Sequence, residues 1–354
     1  MLNNKSILLI SPESWDHIFV SKHHYAVHLG ERENRVYFLN PPSSENKIKK
    51  TSFKNVWEVN YTGFPKGLRF FPSLLQKFYI KKIFNQLLKL CNVEFDVIWS
   101  FDNSVFHDFS ALSTTIYKIS HIVDLNQDFE TAKAASTADI CFGVSTPIVE
   151  KLRRVNEKAF FINHGVQKRE VKSVTLPGGN KVKVFYAGNL DIPYLDWSLI
   201  KQLIKNNSHV NFIFAGPWNE NERKNQVCTF DNVHYLGVLK ADELVSYYSL
   251  ADVLLIAYKA DEYKDQLSNP HKMMEYLASG KMIVATYTDN YKKLAEEGLF
   301  LMSNNQEDFL PLFGKAISNL SYWNSEEKQN LRKGYASENT YDKQIERIES
   351  YLNE

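Results

Sequence analysis

The sequence predicts an α/β protein of two doubly wound, Rossmann-like domains facing a central cleft. Three observations carry that expectation. Short apolar runs of strand length alternate with helical patterns from end to end, as in parallel sheets with crossover helices. At 354 residues the chain is long for one core and suits two domains of about 150 residues each. A polar, basic stretch over 167–181, with Leu-Pro-Gly-Gly-Asn at 176–180, interrupts the alternation near mid-chain and reads as a linker.

The first series predicts strands at 7–10, 36–39, 56–59, 97–100, 115–118, 140–144 and 160–162, with helices at 24–31, 74–90 and 147–154. The second predicts strands at 182–187, 210–215, 233–236, 253–258, 282–285 and 300–302. Residues 335–352 are helical in pattern, and no internal repeat or low-complexity tract is visible. The expected domains are 1–166 and 182–336, joined by the linker 167–181 and followed by a C-terminal segment, 337–354. Doubly wound sheets bind ligands beyond the carboxyl ends of their strands, so the site is expected in the crevice between the domains.

Composition narrows the class. Lys+Arg 42 against Asp+Glu 41 leaves no global field to favour nucleic acid. A hydrophobic content of 44% with 14% aromatics is that of a folded chain. Cys91, Cys141 and Cys228 are scattered and odd in number, which predicts a reducing compartment without a disulfide framework or metal spacing. No signal-peptide pattern opens the sequence, and no apolar stretch reaches the ~18–20 residues of a transmembrane helix. The expectation is a cytoplasmic protein able to sit on the inner face of a membrane.

The most informative run is 268–286, Ser-Asn-Pro-His-Lys-Met-Met-Glu-Tyr-Leu-Ala-Ser-Gly-Lys-Met-Ile-Val-Ala-Thr. Asn269 is expected to cap a helix, Pro270 to open it and Gly280 to stop it before a short buried strand. At about 100° per residue, Lys272, Glu275, Tyr276 and Ser279 share one face, while Met273, Met274, Leu277 and Ala278 share the other. The apolar face can seat on a sheet while the polar face points into a cleft. A helix N-terminus with a lysine in its first turn is an anion site, and phosphate is the usual anion. A carboxylate one turn further on accepts hydrogen bonds from a diol such as ribose. Phosphate and ribose a helical turn apart describe a nucleotide.

This run resembles the donor-binding motif of group-1, family 4-like glycosyltransferases, which have the GT-B fold. The resemblance continues in order along the chain. Residues 11–26 with 35–42 resemble the opening of a bacterial subgroup, and 138–147 with 162–166 resemble the end of its N-terminal domain. The last helix resembles one that packs back on that domain in the family. The resemblance implies a hexosyltransferase-like enzyme using a UDP- or GDP-linked sugar. Its acceptor would be a glycan or a lipid-linked glycan in bacterial surface polysaccharide synthesis. Retaining chemistry is expected, with no cofactor beyond the substrate. No metal is expected either, because no Asp-x-Asp pair follows a strand and Lys272 with the helix dipole can stabilise the leaving diphosphate.

Carried onto this chain, the resemblance puts Gly188 and Asn189 under the donor diphosphate. Family members often place an arginine and a lysine shortly after. Here Leu190, Asp191 and Ile192 follow, with no cation before Lys201, so Lys272 takes most of the phosphate charge. Gly216 ends one neighbouring strand, and Val238 or Leu239, after another, is placed against the base. Ser268, Asn269 and His271 complete the donor side at the helix start, and Glu275 takes the ribose hydroxyls. The first of the family's two glutamates falls at Leu267, which cannot hydrogen-bond a sugar; Glu262 and Asp265 are substitutes on the same loop.

On the acceptor side the catalytic candidates are His24 and Asp124. His23 and His24 open a helix, whose dipole favours a neutral ring, and they point about 100° apart, so at most one of them is expected to face the cleft. His121 accompanies Asp124 beyond a strand, and Asp16 and Asp102 are further polar candidates. Inverting transfer requires one of these as a base; a retaining front-face path requires positioning and phosphate stabilisation. The segment 65–84, preceded by Lys-Ile-Lys-Lys at 47–50, is basic and aromatic at helical spacing. It suits an anionic membrane surface, and equally a core helix with a solvated lysine face. Two alternatives remain open: a sugar-nucleotide epimerase of the same fold, and a catalytically silent nucleotide-sugar-binding scaffold.

Overall fold

The structure is a computed structural model that describes residues 2–124, 130–179, 181–264, 267–305 and 307–353. The chain divides into two compact units, one of Met1–Gly165 with Tyr341–Glu354, the other of Val166–Thr340.

The first unit runs β1 (Ser6–Ile10), α1 (Ser21–Glu31), β2 (Arg35–Leu39), β3 (Lys47–Lys50), β4 (Val56–Asn60), α2 (Ser73–Cys91) and β5 (Val97–Ser100). It continues through β6 (Tyr117–Ile122), α3 (Thr131–Thr137), β7 (Ile140–Gly143), α4 (Thr146–Arg153) and β8 (Ala159–Phe161). Among the described residues these form an eight-stranded sheet, ordered β3-β4-β2-β1-β5-β6-β7-β8. Every pairing is parallel except β3 with β4. The two-residue period of a strand splits the core: Ile7 and Leu9 pack with Tyr25 and Leu29 of α1, and Leu8 and Ile10 pack with Ile80 and Phe84 of α2. Both faces of β1 are therefore covered, which is why it reads as an unbroken apolar run.

The second unit runs β9 (Val182–Ala187), α5 (Trp197–Asn206), β10 (Val210–Ala215), α6 (Asn221–Val227), β11 (Val233–Tyr235), α7 (Ala241–Leu250) and β12 (Val253–Ile256). After these come α8 (His271–Ser279), β13 (Met282–Ala285), α9 (Lys292–Glu296), β14 (Leu301–Met302), α10 (Phe309–Ser318), α11 (Leu320–Trp323) and α12 (Glu326–Ser337). Its described strands form a six-stranded parallel sheet, β11-β10-β9-β12-β13-β14. Strand order reverses between β9 and β12, the switch point where such sheets bind ligands. The chain then returns to the first unit as α13 (Tyr341–Leu352), whose Tyr341, Ile345 and Ile348 join the α1 side of that core.

Several local expectations are corrected. The basic run at 47–50 is a strand, β3, on the sheet edge; exposed Lys47, Lys49 and Lys50 keep that edge from pairing further. Helix α1 begins at Ser21 rather than residue 24, because the His23 Nδ1 accepts the Val20 N–H at 3.3 Å and closes the first turn. Strand β6 lies later than expected, and α3 is additional. Asn269 does not cap α8: the cap is Pro270, with extended ψ of 122°, and Asn269 precedes it. Gly280 does end α8, in the left-handed region at φ 77°. Tyr276 and Ser279, expected on the polar face of α8, are buried. The 167–181 stretch has no helix or strand among its described residues, and it is tied to α7 by Lys172 N–H donating to Ser246 Oγ at 2.8 Å. Asn180 and Asp265 lie outside the described residues.

Arg332 is a further core element without a signal in the sequence pattern. It is fully buried on α12, and its guanidinium donates to Gly280 O and Trp323 O at 2.7 Å and to Leu299 O at 2.5 Å. It thus satisfies the carbonyl at the C-terminus of α8 and holds that helix in place. No helix among the described residues is long and apolar enough to cross a membrane. All three cysteines are free, Cys91 and Cys141 buried and Cys228 exposed.

Candidate functional site

The second unit gathers its polar groups at the switch point. Helix α8 follows β12, and its docking onto the end of β9 is specific. Tyr276 OH accepts the Ala187 N–H at 3.4 Å, and Lys272 Nζ donates to Ala187 O at 2.9 Å. Both hydrogen-bonding groups of Ala187 are thus taken by one face of one helix, a turn apart. Tyr276 faces inward because its hydroxyl has this partner, which the helical wheel alone does not reveal. The Lys272 ammonium lies 3.9 Å from the Tyr186 ring centroid and 5.3 Å from that of Tyr258. Burial among these rings pushes its pKa down to about 7, and the Glu275 carboxylate pulls in the opposite direction.

Glycines let backbone and lysine meet. Gly188 follows β9 with φ 155°, and a Cβ there would lie 2.6 Å from Lys272 Nζ and 3.0 Å from Tyr186 OH. Gly216 follows β10 with φ 130°, and a Cβ there would lie 2.0 Å from Gly188 O. Backbone bonds lace the three strand ends together, Gly188 N–H to Ala215 O at 2.9 Å and Gly216 N–H to Gly237 O at 2.8 Å. The result is a floor of bare backbone beside a lysine, the shape that admits a phosphate.

Glu275 stands one turn beyond Lys272, and its Oε2 accepts from Tyr248 OH at 3.4 Å. Val238 is 67% exposed beyond β11, and Leu239 is half-buried beside it. Asn189 is exposed and its Oδ1 accepts the Asp191 N–H at 2.9 Å, forming a turn. Asp191 in turn accepts the backbone N–H groups of Asn219 and Glu220, and these bonds lower its pKa. Lys201 donates to Gln226 on α6, away from the glycine loop. Among the described residues, Lys272 is the side chain whose ammonium lies nearest a Cβ position at Gly188.

The other donor-side candidates are less open. Ser268 and Asn269 are buried, and Ser268 O accepts the Asn290 N–H at 3.0 Å, tying their loop to the one after β13. His271 is half-buried. Leu267 is 5% exposed and belongs to the core, so an apolar residue there is a packing element. Next to Tyr258 lies a cavity of about 290 Å³ whose lining includes Asp196, Lys259, Glu262, Tyr287 and Asn304. Glu262, one of the two substitutes for the missing glutamate, thus borders a polar, aromatic-walled cavity.

In the first unit, His23 is fully buried among Trp15, Phe19 and Phe38. Its Nδ1 accepts from Val20, so Nε2 carries the proton and donates to Ser14 O at 3.0 Å. Burial lowers its pKa, a larger cause than anything else acting on it. His24 stacks on Tyr341 with centroids 4.7 Å apart and is 9% exposed. His121 is buried between Trp99, Phe101 and Phe142, accepts from Trp99 Nε1 at 3.4 Å, and is pushed down to about 3 by burial. Asp124 is exposed just beyond β6, and Asp102 is buried, its Oδ1 accepting from Ser104 N–H and Oγ. Lys22, buried at the start of α1, pairs with Glu13. No cluster of three or more His, Cys, Asp or Glu side chains arranged for a metal ion occurs among the described residues.

Comparison with known proteins adds independent findings. Residues 181–319 match the family described as group 1 glycosyl transferases. A stretch of 154 residues is 26% identical to TuaH of Bacillus subtilis (strain 168), named as a teichuronic acid biosynthesis glycosyltransferase. That match covers 41% of this chain and 38% of the relative's length. Among solved structures, sucrose-phosphate synthase from Thermosynechococcus elongatus aligns with a TM-score of 0.73 at 13% identity, over 99% of this chain and 98% of that one. Anabaena HepE, solved in complex with UDP and glucose, aligns with a TM-score of 0.67 at 14% identity over 99% of each chain. At such identities these two likenesses speak to the fold alone.

Proposed function

We propose that this chain is a group 1 glycosyltransferase of the GT-B fold and transfers a sugar from a nucleoside-diphosphate donor to a glycan or lipid-linked acceptor. The observation that carries the reading is the backbone floor at Gly188 and Gly216 with Lys272 on it and Glu275 one helical turn away. Phosphate fits the first pair and a ribose diol the last residue. The UDP held by the Anabaena neighbour supports the diphosphate part of this reading. The teichuronic acid name of the Bacillus relative supports a bacterial surface glycan as destination, with the work done on the cytoplasmic side at or near the membrane.

In this reading the bond from the sugar's anomeric carbon to the diphosphate oxygen breaks as a bond to the acceptor hydroxyl oxygen forms. Lys272 and the N-terminal N–H groups of α8 stabilise the charge growing on the leaving phosphate, without a metal. The acceptor proton passes to a leaving phosphate oxygen on the same face, which retains configuration and requires no dedicated base. Glu262 is the carboxylate available to a sugar hydroxyl from the cavity beside Tyr258, in place of Leu267. Val238 and Leu239 are assigned to the base edge, and His24 and Asp124 to the acceptor side.

A thermal-shift panel of nucleotide sugars tests the reading, because only a true donor stabilises by RT ln(1 + [L]/Kd). No stabilisation by any UDP- or GDP-sugar would remove it. Glu275→Gln is expected to weaken ribonucleotides more than their deoxy analogues, read by calorimetry; equal losses for both would take Glu275 off the ribose. His24→Phe keeps a ring against Tyr341 but has no nitrogen. The expected result is loss of transfer with nucleotide affinity and melting temperature retained. Full activity would return His24 to packing alone.

A further inference from the structure

We infer that the turn before α2 and the first two turns of that helix form a wedge that inserts into an anionic lipid surface. This deepens the proposed reading by naming where a lipid-linked acceptor would be met, and it rests on that reading only for its purpose. The structure separates the two roles that the sequence leaves mixed in residues 65–84. The inward face of α2 is core, with Ile80, Ile83, Phe84 and Leu87 buried. Its N-terminal end is different: Leu74 is 83% exposed, Phe78 59% and Phe70, in the preceding turn, 78%. Leu75 is exposed beside them. Large apolar side chains this exposed and this close together have no purpose for a chain surrounded by water alone.

The presentation of this wedge is built into the fold. The buried Gln76 side chain donates to Arg69 O at 3.0 Å and to Phe71 O at 2.7 Å, clamping the turn onto the helix. Phe70 is thereby held outward, with the Arg69 guanidinium 4.8 Å from its ring centroid. Charge then selects the partner. Between Glu58 and Glu94 there is no acidic residue, while Lys66, Arg69, Lys77, Lys81, Lys82 and Lys89 are all cations. Lys77 lies near Asp108, whose pKa it helps to lower; Lys66, Arg69, Lys81, Lys82 and Lys89 are exposed. At about 1.5 Å per residue, Lys82 stands roughly 12 Å along the helix from Leu74. Apolar tips buried ~5–10 Å into a bilayer would put those lysines at the level of the headgroups. An apolar tip with cations one to two turns behind it matches an anionic membrane interface, and the cations would repel one another across a contact between two copies.

The test is flotation with vesicles of phosphatidylcholine containing phosphatidylglycerol, against pure phosphatidylcholine, at low and high salt. The intact protein is expected to float with the anionic vesicles at low salt and to be largely released by high salt. A combined Phe70→Ser, Leu74→Ser and Phe78→Ser variant is expected to lose at least about tenfold in partitioning, equivalent to ~1.4 kcal/mol. Its melting temperature and UDP affinity should be unchanged. Lys81→Glu with Lys82→Glu is expected to lose the preference for anionic over neutral vesicles. Failure of the intact protein to float at low salt overturns the inference, as does a serine variant that floats equally well. A dimer seen by light scattering that the serine variant dissolves overturns it too, by assigning the patch to a second copy. Because UDP binding is measured separately, failure here is distinguishable from failure of the transferase reading.

Discussion

Lys272→Ala is expected to weaken UDP or GDP binding by roughly 10- to 150-fold, the loss of a charge-assisted contact of about 1.5–3 kcal/mol. The geometry makes the expectation more specific. The ammonium is packed on the Tyr186 ring and against Ala187 O, and burial holds its pKa at about 7, below the ~10.4 of a free lysine. A bound diphosphate would favour the charged form and draw a proton in. Wild-type affinity is therefore expected to fall as pH rises above about 7, approaching tenfold per unit, and proton uptake should appear in calorimetry across buffers of differing ionisation heat. In Lys272→Ala both effects should vanish. The same shift has a stability consequence of the opposite slope. Between about pH 7 and 10.4 the unfolded chain holds a proton on Lys272 that the folded chain has released, so this residue's contribution to stability rises with pH over that window. It is lost as pH falls through 7. Lys272→Met should flatten that slope. A pH-independent nucleotide affinity in the wild type, or an unchanged one in Lys272→Ala, would detach Lys272 from the phosphate.

The alternation of strands and helices was readable because parallel sheets covered on both faces produce apolar runs with little ambiguity, as in β1 and β9. Boundaries were less so. Helix α1 starts early because His23 folds back on Val20, a side-chain contact that no propensity records. Strand β3 was hidden because an edge strand buries little, and Lys47, Lys49 and Lys50 look like a solvated run. In the site, Lys272, Glu275 and Gly188 were legible from spacing and glycine position. What spacing could not convey is that Tyr186 and Tyr258 lie against the lysine, since they come from other elements than α8. The two adjacent histidines were ambiguous for the same reason. A helical wheel separates His23 from His24 by about 100° but does not say which direction is core. His23 turned out to be packed among Trp15, Phe19 and Phe38.

Two glycines on adjacent strands should fail in different ways, because a methyl group meets different atoms at each. At Gly188 the nearest atom is the Lys272 ammonium, at 2.6 Å, the far end of a flexible side chain. Gly188→Ala can clear the contact by displacing that ammonium, which takes the lysine off the diphosphate, but φ 155° is strained for a residue with a Cβ, so a backbone cost of about 1–3 kcal/mol remains. Affinity for UDP or GDP should drop by about tenfold or more, transfer should be lost, and the melting temperature should fall less than in the Gly216 variant, because strain acts here without overpacking against backbone. At Gly216 the nearest atom is Gly188 O, at 2.0 Å, a backbone atom fixed by the lacing between β9 and β10. Nothing flexible can yield there, and φ 130° is strained for any residue with a Cβ. Gly216→Ala should therefore cost about 1–3 kcal/mol from overpacking and a similar amount from backbone strain. At about 2–4 °C per kcal/mol for a unit of this size, the melting temperature should fall by several degrees. Nucleotide saturation should restore only part of that loss, since the substitution also deforms the floor that the nucleotide binds. Equal melting temperatures for the two variants would show that the strand ends are more pliable than their hydrogen bonding implies, and would weaken the assignment of this floor to the diphosphate.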